Sequence, residues 1–134
     1  MFRALSDSVL VAIRQLHPED IEAAAAAGVA VIVNNRPDGE EPGQPRGAAI
    51  EDAARAAGLL YRHIPVAGGI APDQVEAMAA ALGEGKVLAF CRSGTRSTWL
   101  WALAAHRRGL DGGTILAAAE AAGYDLGPLG PYFG

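Results

Sequence analysis

The stretch best equipped for chemistry is Phe90-Cys91-Arg92-Ser93-Gly94-Thr95-Arg96-Ser97. It joins a short apolar run, Val87–Phe90, to a helical pattern predicted over Ser97–Arg108. Ligands bind at such strand-to-helix junctions in open α/β sheets. Successive amides there can face inward as an anion nest, reinforced by the positive end of the following helix. A cysteine opening such a nest becomes more acidic than a free thiol, and the thiolate is the nucleophilic form. Cys91 is therefore the candidate nucleophile. Arg96 is the candidate guanidinium fork for an oxyanion or a persulfide, and Arg92 adds positive charge. Ser93, Gly94 and Thr95 complete the anion-binding loop, with Gly94 free to make a tight bend. Ser97 either caps the helix or hydrogen-bonds the thiolate. A lone cysteine is commonly a small core residue, but the polar residues after this one cannot follow it into an apolar core.

The rest of the chain must position that loop. Ser8–Ile13 reads as a first strand, and His17-Pro18-Glu19-Asp20 opens a helix to about Ala27. Val29–Val33 is a continuous β-branched run, as in a parallel strand covered on both faces. Asn34–Gly47, rich in proline, glycine and charge, reads as a long exposed loop. A helix over Ala48–Ala57, a strand over Leu59–Ile64, a glycine-bearing connection over Pro65–Ala71 and a helix over Pro72–Leu82 follow. A last helix is predicted over Thr114–Ala122, before the Gly/Pro-rich tail 123–134. Strands and helices alternate, so the expected fold is α/β, with a compact, mostly parallel sheet of four to five strands flanked by helices. Residues 1–134 are expected to form a single domain.

Composition narrows the options. The net charge of −4 disfavours nucleic-acid binding, which needs a basic face. No run approaches the roughly 20 apolar residues of a membrane span, and no signal peptide is read at the N-terminus. With one cysteine there is no internal disulfide, and the expected compartment is the reducing cytoplasm. His17, His63 and His106 lack metal-ligand spacing, so neither a metal nor a cofactor is expected. His63 reads as a structural histidine. Trp99 and Trp101, two residues apart, cannot share one helix face, so one belongs to the core and the other to a rim.

Cys91-Arg92-Ser93-Gly94-Thr95-Arg96-Ser97 followed by Trp99-Leu100-Trp101-Ala102-Leu103 resembles the phosphatase-like domain of bacterial beta-lactamase-hydrolase-like proteins. Asn34-Asn35-Arg36-Pro37-Asp38-Gly39-Glu40, His63-Ile64-Pro65-Val66 and the proline-led helix at Pro18 extend the likeness from about Ser8 to Tyr124. The resemblance implies a fold like that of the cysteine-dependent protein tyrosine phosphatases. It also implies a sulfurtransferase role beside a persulfide dioxygenase in sulfide detoxification.

Two activities then compete. The tyrosine phosphatase signature places five residues between its cysteine and arginine, whereas four separate Cys91 from Arg96. The shorter loop is similar to that of single-domain rhodaneses, which cradle one persulfide sulfur. Such phosphatases also use an aspartate as general acid. The connection 65–71 holds no acid, Asp73 suits the dipole of its own helix, and Asp38, in the other loop, equally suits a turn before Gly39. Arg36 either binds substrate anion or pairs with Asp38 or Glu40.

Sulfur transfer through a Cys91 persulfide is accordingly the first expectation. Its donor would be thiosulfate or a small persulfide, and its acceptor a thiol. A phosphatase working through a Cys91 phospho-enzyme is the second. A non-catalytic anion-binding or redox-sensing domain is the third.

Overall fold

The computed structural model describes residues 1–133. Five strands form one sheet: β1 (Phe2–Ser6), β2 (Val9–Ala12), β3 (Val31–Asn34), β4 (Leu60–His63) and β5 (Val87–Phe90). Their spatial order is β1-β2-β5-β3-β4. Only the β1–β2 pair is antiparallel; β2–β5, β5–β3 and β3–β4 run parallel. The sheet is thus α/β and mostly parallel, as its alternating sequence requires. The helices are α1 (Ile21–Ala26), α2 (Gly47–Ala56), α3 (Pro72–Leu82), α4 (Thr95–Arg107) and α5 (Gly112–Ala121). Short 3-10 segments at Pro18–Asp20 and Gly127–Phe133 flank them.

Alternation along the strands divides the core in two. Val31, Val33, Val87 and Ala89 face α3, α4 and α5 through Met78, Leu100, Trp101 and Ile115. Ile32, Leu88 and Phe90 face α1 and α2 through Ile21, Ala24, Ile50 and Ala54. Buried on both sides, these strands are unbroken apolar runs. After β3 the chain crosses by α2 to β4 on one side; after β4 it returns by α3 to β5 on the other. The connection therefore reverses between β3 and β5, and a crevice opens at their carboxyl ends. Cys91 leaves one strand there and Asn35 leaves the other.

Several expectations are corrected. β1 carries no dense β-branched pattern (Phe-Arg-Ala-Leu-Ser) and is formed by hairpin pairing with β2. The first helix splits into a 3-10 turn and α1. The segment expected as an exposed loop from Asn34 is not exposed throughout: Asn34 ends β3, and Asn34, Asn35 and Arg36 are buried, each with polar partners that make burial tolerable. Helix α4 starts at Thr95 instead of Ser97, and its N-cap is Gly94, in the left-handed region at φ 96°. Trp101 is the core tryptophan, while half-buried Trp99 donates from Nε1 to the Asp125 carbonyl at 3.1 Å. Among the described residues no helix is long and apolar enough to cross a membrane.

Candidate active site

The loop after β5 turns sharply because Gly94 tolerates a positive φ; a Cβ there would lie 2.2 Å from the Tyr124 hydroxyl and 2.8 Å from the Ala12 carbonyl. Only glycine fits that bend. Thr98 then fastens the start of α4, its N–H and hydroxyl both donating to the Gly94 carbonyl, at 2.9 and 2.8 Å.

Cys91 is 1% exposed, as a core cysteine would be. Its sulfur nevertheless faces polar hydrogens: the Gly94 N–H donates to Sγ at 3.2 Å. Burial pushes the thiol pKa up, but donation from the N–H groups of Ser97, Gly94 and Ser93 outweighs it, and the net shift is downward. The Ser97 hydroxyl also lies against the sulfur, yet its single proton goes to Asn35 Oδ1 at 2.8 Å. The amides are therefore the principal stabilisers of the anion. Ser97 does not cap the helix; it lies inside the first turn of α4.

Asn35 is the hub that aligns three segments. Its N–H donates to the Phe90 carbonyl, its carbonyl accepts from Val66, and its Nδ2 donates to the Ile64 carbonyl. With Oδ1 taken by Ser97, every polar atom of this wholly buried residue is used. Asn35 carries no reactive group that would mark it in the sequence. Its signal was an asparagine directly after a buried strand, where a polar side chain needs a reason to be present.

Arg96 lies close enough to Cys91 for the thiolate to raise the guanidinium pKa, although Glu40 raises it more. Glu40 clasps the Nη1 and Nη2 edge of Arg96 at 2.7 and 2.9 Å, and Nη1 also donates to the Val66 carbonyl at 2.8 Å. Arg36 is buried and committed: its Nε donates to Glu40, Nη1 to Gln15 and Nη2 to Glu41, each at 2.8 Å. It pairs with Glu40 and Glu41, not Asp38, and these bonds occupy Nε and one hydrogen on each of Nη1 and Nη2. Exposed Arg92 meets Glu41 at 3.1 Å. Asp38 caps α2, accepting from the Gly47 N–H at 2.7 Å. The side chains of Ser93 and Thr95 meet each other at 3.4 Å on the exposed rim. His63 bonds the Arg36 carbonyl through Nε2 at 3.1 Å. A cavity of about 300 Å³ opens between Arg36, Glu40, Glu41, Arg92 and Arg96. Among the described residues no group of three or more potential ligands is placed to hold a metal.

Residues 1–107 match the family described as beta-lactamase hydrolase-like protein, phosphatase-like domain. The chain belongs to this family. It is 43% identical over 107 residues to the beta-lactamase hydrolase-like protein of Xylella fastidiosa, covering 77% of this chain and 25% of that one. The chain thus spans about a quarter of the relative's length. A candidate phosphatase from Neisseria meningitidis superposes with a TM-score of 0.80 at 33% identity, covering 97% of this chain and 94% of that one. The active form of Tk-PTP shares the fold, with a TM-score of 0.72 at 20% identity over 98% and 92% of the two chains. The phosphatase-like domain therefore has the fold of the cysteine-dependent tyrosine phosphatases. These likenesses support a phosphatase-type enzyme ahead of the sulfurtransferase placed first from the loop spacing, which they support no further than the cysteine loop itself.

Glu40 makes a pH prediction. Donation from Arg96 lowers its carboxyl from an ordinary 4.5 to about 2, with burial opposing and Arg36 assisting. A carboxyl depressed on folding stabilises the fold fully above its unfolded value and loses that contribution as pH falls through its folded one. Thermal melts should therefore show Glu40-dependent stability declining between pH 4.5 and 2, and Glu40→Gln should flatten that part of the curve. An unchanged slope in the variant would show that the clasp does not hold in solution.

Proposed function

We propose that this domain hydrolyses a small phosphomonoester through Cys91. The observation that carries the reading is a single sulfur held by inward loop amides beside a guanidinium. The Cys91 thiolate attacks phosphorus, the ester P–O bond breaks, and a cysteinyl phosphate forms. Water then attacks that phosphorus, phosphate leaves and the thiolate returns. Loop amides and Arg96 stabilise the equatorial oxygens in both steps. In this reading the whole chain acts as one domain in a reducing compartment, which keeps Cys91 free.

No carboxylic acid stands ready to protonate the leaving oxygen. Glu40 is held ionised, Glu41 is paired with Arg36 and Arg92, Asp38 is spent on α2, and the connection 65–71 has no acid. A positioned general acid supplies about 10²–10⁴ in rate, so esters of poor leaving groups should lag good aryl esters by about that factor beyond their intrinsic difference. Turnover of an activated aryl phosphate against an alkyl phosphate measures this. Equal rates would mean that an acid does reach the leaving oxygen, against the assignment of Glu40 and Asp38 to structural bonds.

The four-residue spacing between Cys91 and Arg96 favours a second reading, sulfur transfer. There the thiolate attacks the outer sulfur of thiosulfate, the S–S bond breaks, and sulfite leaves Cys91 as a persulfide. An acceptor thiolate then takes that sulfur and frees Cys91. A persulfide dioxygenase would be a partner of matching chemistry. Intact mass after incubation with thiosulfate separates the readings: one added sulfur on Cys91 with no aryl phosphate turnover would reverse their order.

A further inference from the structure

Tyr124 lies beyond the family match, in the segment after α5, and reaches back to the cysteine loop. Its hydroxyl donates to the Ser93 carbonyl at 2.8 Å. The same peptide unit ends in the Gly94 N–H, which donates to Cys91 Sγ at 3.2 Å. One rigid, planar group thus receives a hydrogen bond at its oxygen and gives one at its nitrogen. We propose that Tyr124 is a positioning residue for the nucleophile, holding the Ser93–Gly94 peptide so that its N–H stays on the Cys91 sulfur. The proposal rests on the reading of Cys91 as a thiolate nucleophile.

Two physical effects follow from that linkage. The first is orientation. The peptide unit before a glycine can exchange the directions of its N–H and C=O by rotating its plane, and such a rotation here would turn a carbonyl oxygen toward an anionic sulfur. The Tyr124 hydroxyl opposes it by fixing the oxygen on the far side. The second is polarisation, because a carbonyl that accepts a hydrogen bond makes its own N–H a stronger donor.

Tyr124 is itself well anchored. Its N–H donates to the Ala119 carbonyl at 2.9 Å, and Arg3 Nη1 donates to the neighbouring Ala122 carbonyl at 2.6 Å. The absent Cβ of Gly94 leaves the space that the hydroxyl occupies. Burial and the nearby Cys91 charge raise the phenol pKa, against Arg3, so the hydroxyl keeps its proton.

The experiment is titration of the only thiol, followed by ultraviolet thiolate absorbance and by the pH dependence of alkylation rate, in the full chain and two variants. Tyr124→Phe removes one oxygen and keeps the ring. Trp99→Phe removes the bond to Asp125 that ties the same tail to α4, and leaves the Ser93–Gly94 peptide untouched. The expected result is an acid dissociation constant about three-fold lower in Tyr124→Phe, with Trp99→Phe matching the parent. An unchanged constant in Tyr124→Phe, or an equal shift in both variants, would overturn the proposal by making Tyr124 a packing residue. Ordinary thiol acidity in the parent would instead remove the nucleophile reading beneath it.

Discussion

Changing Cys91 to serine is expected to lower aryl phosphate turnover by at least about 10⁴-fold, to the limit of detection. A serine hydroxyl is a far weaker acid than a thiol, and no base is placed to take its proton: the Ser97 hydroxyl is committed to Asn35, and Glu40 to two arginines. The amides that stabilise a thiolate would solvate a neutral hydroxyl without ionising it. The substitution removes little volume and leaves the Gly94 donor an oxygen to face, so the melting temperature should stay within a few degrees of the parent. Inorganic phosphate should bind the variant at least as tightly, since a like charge is gone from the floor of the loop. Retained turnover would place the chemistry elsewhere. Lost biological activity with no turnover in either protein would favour the redox-sensing reading, because oxidation also requires the sulfur.

The loop was legible because its residue types are incompatible with its neighbours. A polar Cys-Arg-Ser-Gly-Thr-Arg-Ser stretch after a buried strand has no structural use unless the backbone is exploited. The central parallel strands β3 and β5 were legible for the opposite reason, as mainly apolar runs without polar alternation, whereas β4 alternates polar and apolar residues. What escaped was whatever depends on partners distant in sequence. β1 exists because β2 is beside it, and Arg3 and Leu5 carry no local strand signal of their own. Arg36, from its position past β3, could equally bind a substrate anion or pair with Asp38 or Glu40. Its fate was set by Gln15, Glu40 and Glu41, which only the folded loop brings to it. Asp38 was similarly ambiguous until Gly47 claimed its carboxylate. Tyr124 had no signal at all, since its importance lies in a carbonyl 31 positions away.

Arg96→Lys should be the second most damaging change, with turnover falling by about 10²–10³ although the charge is retained. The guanidinium does two things at once. Its Nη1 and Nη2 edge is fixed by Glu40 and the Val66 carbonyl, which sets the plane of the fork, and the remaining edge is left for an anion over Cys91. An ammonium can satisfy Glu40 or reach the loop, but it cannot present two parallel donors to an oxyanion. Glu40→Gln separates these roles, because it weakens the clasp while leaving the fork intact. If the clasp serves orientation, Glu40→Gln should cost about ten-fold in turnover, well short of the lysine variant. If Glu40 instead competes with substrate for the guanidinium, the same change should lower KM. Steady-state kinetics on the two variants decide between these. Because Glu40 stays ionised down to about pH 2, it keeps holding Arg96 as the medium is acidified toward that value. A fall in activity above that pH should therefore be independent of Glu40 protonation and keep the same midpoint in Glu40→Gln.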